Sequence, residues 1–267
     1  MSKLSEMIKA DAGLKGRSID SETLQIEQAL NRLFYAKPNF AEEIRMLKLQ
    51  KQQAEEDRIG LHASSMLAGP KEFCYRQQVL SLFYKQRQDE SIGINLKRIF
   101  EEGKFIGEKW QRLFIRGNLG RPEDMDRSFF NKKYDLSFTP DAKIVLNDKV
   151  YIVEIKSMNT FQFKKATSHP SGKKQLLFYL LLCKVKDGFV LVEDKNNQEF
   201  KIFRETFSRK AVEPYIERLK GIQYHKYAFS KKAILPKRKC DEPKCKQALK
   251  CNMLDACWNI GKGRREL

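Results

Sequence analysis

The segment that most constrains the fold is FTPDAKIVLNDKVYIVEIKS, residues 138–157. It contains two runs of strand-forming residues, and the Asn147-Asp148 pair between them is typical of a hairpin turn. Glu154 lies inside an otherwise apolar run of the second strand. Residues two apart in a strand face the same side, so Glu154 and Lys156 project together. The segment therefore predicts a hairpin that carries charged side chains into a strand suited to burial.

A second acidic residue, Asp141, follows a proline in the first strand. If the two strands pair as a hairpin, Asp141 approaches Glu154, and two close carboxylates repel each other unless a cation lies between them. Oxygen ligands of this kind suit Mg²⁺ or Mn²⁺. A lysine beside such a metal can orient a water or stabilise charge on a phosphate. The pattern indicates metal-assisted phosphodiester hydrolysis; the alternative is an edge strand whose polar residues face solvent.

Taken together, the motifs PDAKI and VEIKS resemble the PD-(D/E)XK nuclease superfamily. The resemblance implies an α/β fold with a mixed central sheet flanked by helices. It also implies that Asp141 and Glu154 are ligands of Mg²⁺ or Mn²⁺ and that Lys156 is the catalytic lysine. Downstream, KKQLLFYLLL resembles the Q-x-x-x-Y motif of the RecB-like branch, which lies along the DNA path, with Gln175 and Tyr179 in the motif positions. The alternative for this pair is ordinary helix amphipathicity.

Upstream, the RecB-like branch has a helix with a G-x-x-x-H-E-like signature whose histidine is a metal ligand. The stretch EEGKFIGEKWQRLF resembles it, with Gly103 in place, but Gly107 occupies the histidine position and Glu108 follows. Three alternatives remain: Glu108 is a substitute carboxylate ligand, the site has one ligand fewer, or Glu108 is a solvated helix residue.

The cysteines are unevenly distributed, because Cys74 and Cys183 stand alone whereas four lie in the last 28 residues: Cys240, Cys245, Cys251 and Cys257. In an intracellular chain, crowded cysteines more often bind metal than form disulfides. Four thiolates can hold a 4Fe–4S cluster, and a Cys₄ zinc site is the alternative. Cys183 lies in an apolar helix and is interpreted as a structural thiol.

The cysteine positions are also similar to those of the iron–sulfur RecB-like nucleases, the CRISPR-associated and AddB types. There, one cysteine precedes the nuclease core and three follow it. The stretch FCYRQQVLSLFY resembles the first element and CNMLDACW the last, but Ala248 occupies the position of the remaining cysteine. The resemblance implies a 4Fe–4S cluster on Cys74, Cys251, Cys257 and one of Cys240 and Cys245.

Charge and hydropathy restrict the class of partner. The 52 Lys and Arg residues against 34 Asp and Glu give a net charge of +18, which suits DNA; a basic protein without a polyanionic partner is the alternative. No run of about 18 apolar residues exists, so no membrane partner is expected. The N-terminal sequence MSKLSEMIKADAGLKGRS lacks the apolar core of a signal peptide. We therefore expect a cytoplasmic protein of a bacterial or phage-infected cell.

We expect three regions: a helical N-terminal region over 1–68, which caps a DNA channel or binds a partner protein, a nuclease core over 69–232, and a basic cysteine-rich tail over 233–267 that packs on the core. Helical patterns cover 18–36, 40–60, 74–86, 95–117, 172–186 and 208–225. Strand patterns lie within 133–157, 188–195 and 199–205, and 62–73 is expected to be a loop.

The predicted function is that of a metal-dependent DNA nuclease, an exonuclease that acts in DNA recombination, repair or phage DNA metabolism. The alternative is a non-catalytic DNA-binding accessory protein with a nuclease-like fold. The presence of Asp141, Glu154 and Lys156 favours the enzyme. The replacement of the histidine-led motif by Gly107 and Glu108 favours the accessory protein.

Overall fold

A computed structural model of the chain describes residues 20–55, 60–84 and 93–260. Parts of the predicted regions and helices lie outside these residues. They are 1–19 at the start of the N-terminal region, 56–59 at the end of the second predicted helix, 85–86 at the end of the third predicted helix, and 261–267 in the tail.

The described residues form both helices and strands, and the strands are between 2 and 10 residues long. The α-helices are α1 (Ser21–Leu33), α2 (Phe40–Glu55), α3 (Ala63–Met66), α4 (Tyr75–Ser81), α5 (Ile94–Arg116), α6 (Thr160–Lys165), α7 (Pro170–Cys183), α8 (Arg209–Lys232) and α9 (Lys246–Leu249). A 3₁₀-helix covers Pro122–Asp124 and a π-helix Ala256–Ile260. The strands are β1 (Leu61–His62), β2 (Phe129–Asn131), β3 (Leu136–Phe138), β4 (Ala142–Leu146), β5 (Lys149–Met158), β6 (Asp187–Asp194) and β7 (Phe200–Thr206).

The strands form two sheets. The larger sheet has the order β4-β5-β6-β7, with β5 and β6 parallel and the outer pairs antiparallel. The smaller sheet has the order β1-β3-β2, with β1 parallel to β3. The expected mixed α/β fold, with a mixed sheet flanked by helices, is confirmed.

The predicted hairpin is confirmed at its turn. Asn147 and Asp148 connect β4 to β5 with φ angles of 49° and 59°. A two-residue type I′ turn requires positive φ at both central positions, and Asn and Asp adopt that conformation more readily than other non-glycine residues. The turn sets the register, in which Ala142 pairs with Val153.

Both faces of the larger sheet are covered, which explains why β5 is apolar along most of its length. Successive β5 residues alternate between two cores, with Ile152 in one and Val153 in the other. On the first face lie α7 and α8, with buried side chains that include Leu176, Phe178, Val212 and Leu219. On the second lie α1 and α5, with buried side chains that include Ile26, Leu30, Trp110 and Phe114. Glu154 is two residues from Ile152 and therefore faces α7.

The N-terminal helices contact the sheet region directly. Asp20 caps α1, since its Oδ1 accepts a hydrogen bond of 3.0 Å from the Thr23 backbone. Arg204 of β7 forms ion pairs with Asp20 at 2.5 Å and with Glu22 at 2.6 Å. The predicted division of the chain at residue 68 stays a prediction.

The predicted loop over 62–73 is wrong in its first part, because it contains the end of β1 and the whole of α3. His62 precedes α3, and its Nδ1 accepts a hydrogen bond from the Ser64 backbone. Ala63 and Met66 are buried against the first core. Such a short helix depends on tertiary packing rather than on a periodic sequence pattern. Helix α8 also runs to Lys232, beyond the predicted end at 225. No helix among the described residues is long and apolar enough to cross a membrane.

Candidate functional site

The β4–β5 hairpin brings Asp141 and Glu154 together. Asp141 directly precedes Ala142, which pairs with Val153, so Asp141 lies opposite Glu154. The Asp141 Oδ2 atom accepts a hydrogen bond of 2.6 Å from the Ile155 backbone, across the hairpin. Burial raises the pKa of Asp141, while Lys156 and the Ile155 amide oppose the shift. The two carboxylates are thus held at one place by backbone geometry.

Glu154 is a fully buried carboxylate with 0% of its surface exposed. Lys156 Nζ lies 2.5 Å from its Oε1, and its Oε2 has no hydrogen-bond partner. Burial, with a further contribution from Asp141, raises the pKa of Glu154 to about 8 against the pull of Lys156. An unpaired buried carboxylate oxygen is costly.

Glu193, the other buried glutamate of the larger sheet, has a partner at each of its carboxylate oxygens. Glu193, at the end of β6, is 2.6 Å from Lys109 Nζ through Oε1 and accepts a hydrogen bond of 2.6 Å from Trp110 Nε1 through Oε2. Glu154 lacks such a second donor. The unpaired Oε2, together with the Asp141 carboxylate opposite Glu154 on the hairpin, therefore suits a divalent cation, which takes carboxylate oxygens as ligands.

Lys156 links the carboxylates to α7. Its Nζ lies 3.4 Å from Gln175 Oε1, and Gln175 Nε2 donates a hydrogen bond of 3.1 Å to the Tyr179 hydroxyl. Burial lowers the pKa of Lys156, but Glu154 and Asp141 raise it by more, so the net shift is upward and the amine stays protonated. The structure thus brings Lys156, Gln175 and Tyr179 into one chain of polar contacts.

The start of α7 approaches the sheet closely because Gly172 has no side chain. A Cβ atom at Gly172 would lie 2.9 Å from Val190 Cγ1 and 3.4 Å from Lys156 Cγ. His169 caps the helix, since its Nδ1 accepts a hydrogen bond of 2.9 Å from the Gly172 backbone. Burial and the charge of Lys156 lower the pKa of His169, which keeps the ring neutral and able to accept this bond.

Glu108 is placed on α5, where its Oε2 lies 3.8 Å from Arg112 one turn later. Its contact with Arg112 is an ordinary helix pair. Among residues 20–55, 60–84 and 93–260, no group of three or more His, Cys, Asp and Glu side chains has the arrangement of a metal site. The assignment of Glu108 as a third ligand stays a prediction.

Two residues of the site were missed by the sequence analysis. Gln111 is buried three residues after Glu108, and its Nε2 donates a hydrogen bond of 2.8 Å to the Asp141 carbonyl oxygen. The Asp126 backbone N–H donates to the same carbonyl at 2.9 Å, and the Asp126 charge contributes to the raised pKa of Glu154. The i,i+3 spacing from Glu108 could have identified Gln111. Asp126 lies in a loop with no recognisable pattern.

A polar cavity of about 230 Å³ lies beside these residues. It is lined by Gln50, Gln53, His62, Ser64, Asp126, Ser128, Thr139, Gln175 and Tyr179.

The structure also brings Cys74 to the tail cysteines. One small cavity is lined by Cys74, Cys240, Cys251 and Cys257, together with basic residues that include Arg76, Arg238 and Lys239. Burial, followed by a hydrogen bond with Cys245, raises the pKa of Cys240 to about 12, so Cys245 lies beside this group. Cys183 is on α7, where burial raises the pKa of its thiol to about 11, which fits a structural thiol.

No family model and no curated protein sequence matches the chain. Several solved structures resemble parts of its fold, among them the following three. SSO0001 is 13% identical over 69% of this chain and 88% of that chain, with a TM-score of 0.42. LHK-Exo in complex with dAMP is 12% identical over 63% of this chain and 88% of that one, with a TM-score of 0.47. The alkaline exonuclease LHK-Exo from Laribacter hongkongensis has the same identity and coverage and a TM-score of 0.44. These likenesses concern the fold and are too distant to transfer an activity.

Proposed function

We propose that this protein is a metal-dependent deoxyribonuclease of the PD-(D/E)XK type and RecB-like branch, an exonuclease that hydrolyses DNA phosphodiester bonds. The observation that carries the proposal is the state of Glu154, which is fully buried, unpaired at Oε2, opposite Asp141 and in contact with Lys156. Glu193, the other buried glutamate of the larger sheet, is by contrast paired at both carboxylate oxygens.

Asp141 and Glu154 would hold Mg²⁺ or Mn²⁺, with Glu108 as the proposed third ligand. When bound, the ion supplies an activated water and stabilises charge on the phosphate. Lys156, protonated and held by Glu154 and Gln175, donates a hydrogen bond to the phosphoryl oxygen or to the attacking water. Gln111 holds the Asp141 backbone and thereby fixes the carboxylate in place.

The net charge of +18 supports DNA as the substrate, because phosphate contacts from Lys and Arg dominate such binding. Gln175 would contact DNA beside the site. Tyr179, the second expected DNA-binding residue, is 1% exposed and would act by holding Gln175 through its hydroxyl. The expected protein partner of the N-terminal helices also stays a proposal. Tyr35 in the α1–α2 connection is 90% exposed, and Phe40 at the start of α2 is 68% exposed.

The cysteine site is proposed to hold a 4Fe–4S cluster on Cys74, Cys251, Cys257 and Cys240, with structural zinc as the alternative. The four thiols line one cavity, and its basic residues suit thiolate ligands. Cys245 lies next to Cys240 rather than among the lining residues, which supports Cys240 as the fourth ligand.

The test is cleavage of end-labelled single- and double-stranded DNA with Mg²⁺, Mn²⁺ or EDTA. Glu154→Gln keeps the shape of the side chain and removes the charge, so cleavage should fall by about 100-fold or more while DNA binding persists. Glu217→Gln, at an exposed residue of α8, is the matched control and should cleave normally. Cleavage by Glu154→Gln at the wild-type rate would place the reaction elsewhere. DNA binding without metal-dependent cleavage in the wild type would favour the accessory-protein alternative.

A further inference from the structure

The polar cavity beside the carboxylates has walls from distant parts of the chain. Helix α2 supplies Gln50 and Gln53, and the β1–α3 junction supplies His62 and Ser64. Its volume of about 230 Å³ exceeds by far the ~10–15 Å³ that one water needs on the same measure. The cavity therefore has room for an organic group, not only for water bound to a metal.

The cavity adjoins the proposed reaction site on two sides. Gln175 lines it, and the Oε1 atom of this residue is 3.4 Å from Lys156 Nζ. Asp126 also lines it, and its backbone is hydrogen-bonded to the Asp141 carbonyl. A substrate whose phosphodiester lies at Lys156 would therefore have an adjacent part within reach of the cavity.

The lining indicates an uncharged ligand rich in donors and acceptors. It contains three glutamine amides, several hydroxyls and one imidazole, and the described residues that line it include no lysine or arginine. A phosphate would meet the Asp126 carboxylate there instead of a cation. Glutamine amides pair with the edges of nucleobases. Enzymes that take a base out of the duplex bind it by hydrogen bonds in such a pocket.

Two of the glutamines are held in place by hydrogen bonds to neighbouring residues of the fold. Gln50 Nε2 donates a hydrogen bond of 2.9 Å to Gln111 Oε1, and Gln53 Oε1 accepts one of 2.6 Å from the Ser128 backbone. Positioned side chains bind with less loss of conformational freedom than mobile ones. Helix α2 thus lines the cavity with two glutamine side chains whose positions are already fixed.

We propose that this cavity receives the base of the nucleotide next to the cleaved bond, so that the enzyme acts on a nucleotide that is unpaired from its complement. The proposal rests on the proposed nuclease function and names the substrate of that same site. A base inside a duplex presents its Watson–Crick edge to its partner and cannot enter until it is unpaired.

The first test compares oligonucleotides that end in an unpaired ordinary nucleotide or in an abasic residue. Because good base contacts discriminate strongly, wild-type kcat/KM should be about tenfold or more higher for the ordinary end. Ser64→Phe fills the cavity from its exposed rim and should abolish that preference. Ser230→Phe, an equal change at an exposed residue of α8 outside the cavity, should keep it. Equal cleavage of both ends by the wild type would overturn the base-binding proposal.

The second test does not depend on cleavage. An oligonucleotide with terminal 2-aminopurine is bound in EDTA, and its fluorescence should change with the wild type and Ser230→Phe but not with Ser64→Phe. This response in a protein that cleaves no DNA would retain the base cavity and reject the nuclease. A second outcome is metal-dependent cleavage with no change in 2-aminopurine fluorescence and the same end preference in Ser64→Phe as in the wild type. This outcome would support the nuclease function and reject the proposed base-binding cavity.

Discussion

Glu154 occupies a position where an ionised carboxylate is poorly supported by the protein alone. Lys156 neutralises one oxygen, the other oxygen has no hydrogen-bond partner, and Asp141 adds a second negative charge nearby. Proteins retain such arrangements mainly at functional sites, because they cost stability. A bound divalent ion would make ionisation of Glu154 favourable, since its positive charge stabilises both carboxylates in their ionised form.

The raised pKa of Glu154 predicts how the stability of the metal-free protein depends on pH. Its folded-state pKa of about 8 exceeds the ordinary value of 4.5, so between these values the folded protein binds a proton that the unfolded chain has released. This bound proton stabilises the folded state. Its contribution to the free energy of unfolding is fully present below about pH 4.5 and is lost as the pH rises through about 8. The raised pKa of Asp141 acts in the same direction.

Thermal unfolding in EDTA between pH 5 and 9 measures this dependence. The Tm of the wild type should fall with rising pH more steeply than that of Glu154→Gln, because glutamine does not titrate. Glu217→Gln should follow the wild-type curve. Parallel curves for the wild type and Glu154→Gln would mean that Glu154 is ionised in the folded protein throughout this range.

At the scale of elements, helix α7 is positioned by its contact with the sheet at Gly172. In Gly172→Ala the new Cβ would crowd Val190 and His169, each within 2.9 Å, and push the helix away from Lys156. We expect a loss of about 1–3 kcal/mol in the free energy of unfolding, together with slower cleavage.

A matched glycine lies on α5, where a Cβ at Gly103 meets nothing within 4 Å. Gly103→Ala should leave cleavage unchanged and raise the free energy of unfolding by about 0.4–1 kcal/mol, through the reduced freedom of the unfolded chain. Urea denaturation of both variants checks the pair. Equal stability of Gly172→Ala and the wild type would show that α7 tolerates a wider separation from β5.

The elements that could be predicted are those specified by local sequence. The hairpin follows from Asn147-Asp148 and the flanking strand pattern, and the shared face of Glu154 and Lys156 follows from strand periodicity. Strand β1 could not be predicted, because its two residues pair in parallel with the distant β3. The cavity wall on α2 was also missed. Gln50 and Gln53 lie on a highly charged helix, whose sequence is equally typical of a solvated surface.

At the scale of the molecule, the cysteine group joins the tail to the start of α4. Cys74 is the N-cap residue of α4, whereas the other cysteines of the group follow α8. Direct polar contacts support the same junction: Arg76 donates a hydrogen bond of 3.0 Å to the Pro236 carbonyl, and Lys239 donates one of 2.9 Å to that of Phe73. A metal centre here would close a long loop, and loop-closure entropy grows only slowly with length.

A 4Fe–4S cluster at this junction predicts that protein purified without oxygen is brown and contains iron and sulfide. Cys74→Ala should lose the colour and unfold at a lower temperature, because binding of the cluster contributes to folding. Cys240→Ala should also lose the colour. Cys245→Ala should keep it, because Cys245 is not among the residues that line the cavity.

Cys183→Ala is the control for cysteine removal, because this thiol lies on α7, outside the cysteine group. It should keep both colour and iron. Visible absorbance and metal analysis distinguish the alternatives: a colourless protein with one zinc per chain, retained in Cys74→Ala, would establish a Cys₄ site confined to the tail. A zinc content that is lost in Cys74→Ala but kept in Cys245→Ala would retain the four cavity-lining cysteines as ligands and replace the cluster by zinc.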